Sequence, residues 1–310
     1  MNSSTVYILL ATYNGEAYIR EMIDSVLHQD HQDMHIVLSD DGSTDGTPAI
    51  LEAYAQAHPE KVTHYRSGLR FGNAQDHFLH LLRAFQDARY IMFCDQDDVW
   101  HPDKVSKTLR KMQETETDPQ IPALVHTDLR VVDRDLNVIN PSFCSLSGFN
   151  GDRLDFHHLL MQNVVTGCTV MINSALAKLT CTTTVQNILM HDWFLALLAS
   201  ACGNIGFLKE STIDYRQHGN NAVGAKNSRS LRYIFHRIQS GIRKPLEDTA
   251  RQAGILLRAY PEAFSATQQK MLSEFSTLYQ KNKLSRIRFY CKYRMWKAGL
   301  HRKFAQLIWG

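Results

Sequence analysis

Three carboxylates within four positions organise the chain: Asp95, Asp97 and Asp98, in the run Tyr90-Ile91-Met92-Phe93-Cys94-Asp95-Gln96-Asp97-Asp98-Val99-Trp100. Such a cluster repels itself unless positive charge lies between the side chains. A divalent hard cation, Mg2+ or Mn2+, meets that need, because it prefers carboxylate oxygens and shares them readily with phosphates. The same residues also suit an acidic turn in which Asp95 or Asp98 caps the next helix. Thr12-Tyr13-Asn14, Asp40-Asp41 and Arg66 form further polar groups, each following an apolar run.

Those apolar runs must position the polar groups. Val6 to Ala11, His35 to Ser39, Val62 to Arg66 and the run from Tyr90 read as strands, the first apolar throughout, as in a strand buried on both faces. Helical spacing follows each of the first three: Ile19, Ile23, Val26 and Leu27; then Thr47 to about Ala57, with Pro48 in its first turn and Ser43 or Thr44 as cap; then Phe78, Leu81, Leu82 and Phe85. The alternation predicts a mostly parallel α/β sheet with helices on both faces, and in such sheets ligands bind at the carboxyl ends of the strands. Neither a dinucleotide-type glycine loop nor a Walker lysine motif is present, so phosphate would be held through metal at the Asp95 cluster.

Beyond the cluster, a helix from Pro102 and a strand from Leu124 to Thr127 are expected, with Leu129 to Val132 pairing with Leu136 to Ile139. A loop from Pro141 to Asp152, a helix from Asp155 to Met161 and a strand from Val164 to Ile172 follow. Met190-His191-Asp192-Trp193 opens a very apolar helix through Ala201, and two short strands, Gly206 to Leu208 and Ser211 to Tyr215, lead to Arg216-Gln217-His218-Gly219-Asn220-Asn221. Past residue 225 the pattern is helical and basic: 18 Lys and Arg against 4 Asp and Glu in 226–310, compared with 16 against 27 before it. The expected organisation is therefore a domain over 1–225, with halves of about 1–100 and 101–225, and a basic helical region over 226–310. No apolar run approaches the roughly 18 residues that span a bilayer, and no signal-peptide pattern opens the chain. The six cysteines lack metal or disulfide spacing and read as reduced, mostly core thiols. A cytoplasmic protein is expected.

Taken in order, L-L-A-T-Y-N-G, D-D-G-S-T-D-G-T and D-Q-D-D-V-W resemble the inverting nucleotide-sugar glycosyltransferases of family two, which have the GT-A fold. T-G-C-T-V-M-I-N, H-D-W-F-L-A-L-L-A-S and Y-R-Q-H-G-N-N resemble the acceptor half of that family, in the bacterial branch that builds cell-surface polysaccharides and includes many rhamnosyltransferases. The resemblance spans roughly residues 5 to 222. It implies a nucleoside-diphosphate sugar donor (dTDP or UDP), with Asp41 on the pyrimidine base, Tyr13 against it, and Thr12 and Asn14 in the same strand-end group. It implies Mn2+ or Mg2+ on Asp95 and Asp97, with His218 as a further ligand, Asp98 as a helper, and Arg66 and Arg216 as phosphate contacts or salt bridges. Asp192 matches the catalytic base, preceded here by His191 where the family often has Glu; an N-cap is the competing role, and a helix N-terminus would lower its pKa.

Lys281 to Lys303 carries nine Lys and Arg and no acid among aromatic and aliphatic residues. That pattern suits an anionic membrane surface, nucleic acid, or an ordinary helix packed on the catalytic domain. With surface-polysaccharide acceptors commonly lipid-linked, the resemblance favours a glycan or lipid-linked glycan acceptor at the membrane's inner face, and no nucleic acid. A sugar-phosphate nucleotidyltransferase, which would typically carry a glycine-rich loop near its first strand, and a non-catalytic nucleotide-binding protein are the alternatives.

Overall fold

Val6–Thr12 forms β1, and its alternate side chains go to opposite faces of a sheet, Leu9 and Ala11 to one apolar cluster, Ile8 and Leu10 to the other. Both faces are covered, which is why the run is apolar throughout. In this computed structural model, which describes residues 5–218, 243–297 and 300–309, β1 pairs in parallel with β2 (Met34–Asp40) on one side and β4 (Tyr90–Cys94) on the other, and β3 (Val62–His64) extends the sheet beyond β2. The crossovers are α1 (Ile19–Leu27), α2 (Thr47–Ala57) and α3 (Ala74–Ala84). Ile19, Met22, Ile23 and Val26 of α1 and Ile50 of α2 pack on one face; Phe78, Leu81 and Leu82 of α3 pack on the other. Thr12 lies opposite Asp40 in the ladder and Leu10 opposite Cys94, so three strand ends present their polar residues side by side.

The second half extends the same sheet: β5 (Val99–Trp100), α4 (Lys104–Thr115), β6 (Ala123–Val132), β7 (Val138–Asn140), α5 (Phe143–Ser147), α6 (Phe156–Met161), β8 (Met171–Asn173), α7 (Ser174–Cys181), α8 (His191–Cys202) and β9 (Asn204–Arg216). The strand order is β3-β2-β1-β4-β8-β6-β9-β5, with β7 paired to β6. β8 runs antiparallel to β4 and β6, β9 runs parallel to β6, and β5 is antiparallel to β9. The architecture is thus the expected mostly parallel α/β sheet with helices on both faces. Three expectations change. Val164 to Ile172 is a strand only at its end, because Gly167–Thr169 closes a 3-10 turn. Gly206 to Leu208 and Ser211 to Tyr215 are parts of one 13-residue strand. The loop from Pro141 to Asp152 holds α5, capped by Ser142.

The C-terminal region is helical, as expected: α9 (Arg243–Ala259), α10 (Ala266–Ser276), α11 (Lys283–Tyr293) and α12 (Leu300–Trp309). The expected boundary near residue 225 lies outside the described residues. Leu246, Ala253 and Leu256 of α9 and Phe275 of α10 join the same apolar cluster as Phe194 and Leu197 of α8. Tyr260 OH donates to Thr180 O at 2.7 Å, and Gln268 Nε2 to Ala201 O at 3.2 Å. Phe289, Tyr290 and Met295 are buried in that core, whereas Leu284, Phe304 and Ile308 are exposed. No cysteine is disulfide-bonded; Cys291 is exposed rather than buried. No helix among the described residues is long and apolar enough to cross a membrane.

Candidate active site

The turn after β1 is fastened to its neighbours by side chains. Asn14 adopts a left-handed conformation (φ 49°); its Oδ1 accepts the Thr44 N–H at 2.8 Å, and its own N–H donates to Ser43 Oγ at 2.7 Å. Asp40 accepts the Gly42 and Ser43 N–H groups at 2.9 and 2.8 Å and the Thr12 hydroxyl at 3.0 Å, so Asp40 and Thr12 build the turn. Gln96, which the sequence reading passed over, pairs its amide with the Tyr13 backbone, accepting at 2.8 Å and donating at 3.1 Å. A Cβ on Gly15 would meet Gln96 Oε1 at 2.5 Å, which explains the glycine. The Tyr13 side chain is left exposed. Asp41 is buried and accepts the N–H groups of Phe71 and of Gly72, the latter at 2.8 Å. Arg66 does not join this group: it is paired with Glu52 of α2 at 2.5 Å, which also meets His64.

The acidic run is built as a supported cluster. Asp95, Asp98 and Cys168 place ligand atoms within 4.8 Å of one another. Burial, then the charges of Asp97 and Asp192, push the Asp95 carboxyl up to about 7. Asp98 is pushed well above the carboxylate range by burial, then by the charges of Asp97 and Asp95, and its Oδ1 accepts the Arg216 N–H at 3.1 Å. The Cys168 thiol, itself held neutral by burial, hydrogen-bonds Asp98, whose Oδ2 is a buried atom with no conventional partner. Asp98 caps no helix, since the residue before α4 is Asp103. Asp97 turns the other way, its Oδ2 2.7 Å from His218 Nε2, and the His218 ring stacks on Tyr18 at 5.1 Å. Arg216 is buried and donates to Asp97 O at 2.8 Å, to Arg134 O at 2.6 Å and to the Glu21 carboxylate, beneath the Tyr18 ring. These contacts give it the salt-bridge role and make it a brace of the acidic loop. Lys104 lies wholly buried, its Nζ 3.3 Å from Thr212 Oγ1 and over the Trp100 ring; burial lowers its pKa to about 8. Gly219, Asn220 and Asn221 lie outside the described residues.

This donor set fits a hard divalent cation. Its oxygen donors lie in two parts, Asp95 and Asp98 gathered with Cys168 and Asp97 turned to His218, and the mutual repulsion that holds Asp95 up is what a cation would relieve. A neutral Cys168 leaves no thiolate to favour a soft metal.

Asp192 comes from the other half of the chain. It is the second residue of α8, after the uncapped Met190, so it is not an N-cap. Its Oδ1 accepts the Trp193 N–H and Asn163 Nδ2 at 3.3 Å, and the Gly167 N–H also bonds the carboxylate. Burial outweighs these bonds and raises its pKa to about 6, reversing the lowering expected of a helix N-terminus. Asn163 is fixed in turn by Val165, donating to its carbonyl at 2.8 Å and accepting its N–H at 3.0 Å. His191 is buried between Phe78 and Phe93, ring centroids 4.7 and 5.2 Å away, and held neutral by burial with its pKa down to about 3. A Cβ on Gly167 would meet its Nε2 at 2.9 Å. Trp193 anchors its indole N–H on Leu159 O at 2.6 Å and packs against the core. The fold thus sets a buried carboxylate with a pKa near neutrality beside an acidic cluster, at the carboxyl edge of the sheet.

Residues 7–179 match the family described as Glycosyl transferase family 2. The chain is 29% identical over 233 residues to the dTDP-rhamnosyl transferase RfbG of Shigella flexneri, spanning 72% of this chain and 76% of that one. It is 36% identical over 109 residues to the putative teichuronic acid biosynthesis glycosyltransferase TuaG of Bacillus subtilis, 35% of this chain and 42% of that one. Among solved structures, S. aureus TarS 1-349 in complex with UDP-GlcNAc superposes with a TM-score of 0.57 at 15% identity, covering 93% of this chain and 80% of that one. The mannosyltransferase PcManGT of Pyrobaculum calidifontis, in complex with GDP-Man and Mn2+, does so with 0.52 at 17% identity, covering 98% and 84%.

Proposed function

The chain belongs to glycosyl transferase family 2, and from that premise we propose an inverting, divalent-metal-dependent transfer of a sugar from a dTDP- or UDP-linked donor to a glycan acceptor in cell-surface polysaccharide synthesis. Membership makes it a glycosyltransferase using a nucleotide-sugar donor and sets aside the nucleotidyltransferase and the non-catalytic alternatives. The observation that carries the mechanism is the buried Asp192, its pKa raised to about 6, close enough to Asp95 for their charges to interact.

In this reading Asp41 accepts the imide N–H of the pyrimidine while its backbone partners Phe71 and Gly72 hold it in place, and the exposed Tyr13 ring lies against the base. Asp95 and Asp97, with His218, would hold Mn2+ or Mg2+. When bound there, it would supply Lewis-acid stabilisation of the negative charge that develops on the departing diphosphate. Arg216 braces the Asp97 backbone. Arg66, if it reaches the donor, must first leave Glu52. Asp192 removes the proton of the acceptor hydroxyl as that oxygen attacks the anomeric carbon from the face opposite the diphosphate. Asn163 and the Gly167 and Trp193 N–H groups fix the direction of its lone pairs. A pKa near 6 leaves the carboxylate ionised at neutral pH and more basic than a solvated aspartate.

The dTDP donor draws support from the rhamnosyl transferase relative, a UDP donor and the metal from TarS and PcManGT. A lipid-linked acceptor draws support from the surface of α12. Gln306 is buried and bonds Met295 O at 2.8 Å, while Phe304 and Ile308, two residues to either side and so on the opposite face of the helix, are exposed near the exposed Lys303. Thermal-shift titration with dTDP-, UDP- and GDP-sugars, with and without Mn2+, tests the donor; a stabilisation by every sugar nucleotide that ignores Mn2+ counts against the metal. Flotation with anionic liposomes tests the membrane contact. A chain ending at Gln280 that floats as well as the full chain removes α11 and α12 from that role.

A further inference from the structure

Helix α8 starts without a side-chain cap, since Met190 offers none. An uncapped first turn has little local reason to hold one orientation, yet Asp192 sits in it. The segment before it is held from outside. Gln252 of α9, 1% exposed, accepts the Leu189 N–H on its Oε1 at 2.8 Å. Gln75 of α3, with its amide nitrogen turned toward the carbonyls, donates to Ile188 O at 3.2 Å and to Leu189 O at 3.1 Å. Leu189 is therefore gripped at both its N–H and its C=O, three residues ahead of Asp192. One grip comes from α3, a crossover helix of the first half, the other from the C-terminal region. Asn187, two residues before Leu189, turns the chain in a left-handed conformation at φ 58°, which asparagine adopts more readily than other non-glycine residues.

We propose that Gln252 and Gln75 are positioning residues for the catalytic carboxylate: they clamp the Leu189 peptide and so set where Asp192 meets the acceptor hydroxyl. The C-terminal helices then serve the chemistry of the catalytic domain as well as its packing. Gln252 touches neither donor nor acceptor; it acts through the backbone that carries Asp192, and the inference rests on Asp192 as the base. A displacement of about 1 Å at a reacting group costs as much as 10²-fold in rate, so loss of one grip should lower kcat while leaving donor affinity unaltered.

The experiment uses the full chain and compares Gln252→Met, which keeps length but removes the acceptor, Gln252→Glu, which restores an acceptor oxygen, Gln75→Met, the double variant and Asp192→Asn. The expected result is a kcat about 10- to 100-fold lower in Gln252→Met, donor KM within twofold of normal, and partial recovery in Gln252→Glu. Because both grips act on one peptide, the double variant should lose less than the product of the single losses. Amide exchange at Leu189 should quicken in Gln252→Met. Normal kcat in Gln252→Met, or kcat and donor affinity falling together with no recovery in Gln252→Glu, overturns the proposal. Should Gln252→Met fail to fold, Gln75→Met decides alone, with the same kcat and KM criterion. Near-normal turnover in Asp192→Asn would instead refute the base assignment, which separates the two failures.

Discussion

Replacing Asp192 by asparagine should make the protein more stable at neutral pH while removing its activity. The carboxyl is buried, and its pKa rises from 3.8 to about 6 on folding. A group whose folded pKa lies above its unfolded one binds its proton more tightly in the native state. Its contribution is favourable at low pH and is lost as pH climbs from about 4 through about 6. Above that window the wild type carries an ionised carboxylate in a poorly solvated place, at a cost of about 3 kcal/mol. Asparagine removes that cost. Its Oδ1 keeps the Trp193 and Asn163 contacts, but its Nδ2 faces one N–H donor, which returns about 1 kcal/mol. The net gain is about 2 kcal/mol at pH 7 to 8, or about 3 °C in Tm for a chain of this length, shrinking through zero toward pH 4. Thermal and urea melts of both proteins at half-unit steps from pH 4 to 8, with sugar transfer measured alongside, test this. A stability difference that does not change with pH would show that the Asp192 carboxylate is at ease where it sits. The argument for an activated base would then fail.

Three other perturbations separate the roles assigned around it. Asp97→Asn should abolish the Mn2+-dependent rise in Tm and lower transfer by at least 10²-fold, and chelator should have no further effect on it; chelator-insensitive transfer by the wild type would refute metal dependence. Arg216→Met leaves the carbonyls of Asp97 and Arg134 without their donor, while the exposed Glu21 carboxylate returns to water, so it should cost about 2 kcal/mol in urea melts and weaken the Mn2+ response; unchanged stability with weaker donor binding would make Arg216 a phosphate ligand instead. Gly167→Ala drives a methyl against His191 Nε2 and should cut kcat by 10-fold or more with the protein still folded, whereas unchanged kcat would mean that the Gly167 turn does not orient Asp192.

The first hundred residues were legible because strand and helix alternate there at short range and each apolar run stops at a polar strand end. Thr47 to Ala57 follows from such local pattern, as does the start of α8 to within one residue, Met190 being expected and His191 found. β9 did not, because its middle, Lys209 and Glu210, is exposed and reads as a break, while its pairing with β6, 81 residues upstream at Ala123 and Asn204, leaves no mark in local sequence. The site divides the same way. Asp95, Asp97 and Asp98 stand out as a run, but only tertiary contacts tell that Asp98 faces inward to Cys168 while Asp97 faces His218. Gln96, Asn163, Gln75 and Gln252 carry no titratable chemistry and no motif. Their importance lies in which backbone groups they reach across the chain. Arg66 and Arg216 each had two readings in sequence, and their carboxylate partners, Glu52 and Glu21, give both arginines a structural bond.

The brace that Arg216 provides also imposes an order of assembly. Its bond to Glu21 spans 195 residues and its backbone bond to Asp98 spans 118. During synthesis at about 5–20 residues per second, the acidic loop leaves the ribosome roughly 6–24 s before β9 and His218 exist. Through that interval the three carboxylates are solvated and bear no burial cost. Only when β9 docks beside β6 are they driven together, so the electrostatic penalty of the site falls on the last strand made among the described residues. Folding of the β1–β4 unit can therefore finish without that penalty, and a chain halted before Arg216 should hold an ordered donor-side sheet whose acidic loop has not yet been enclosed.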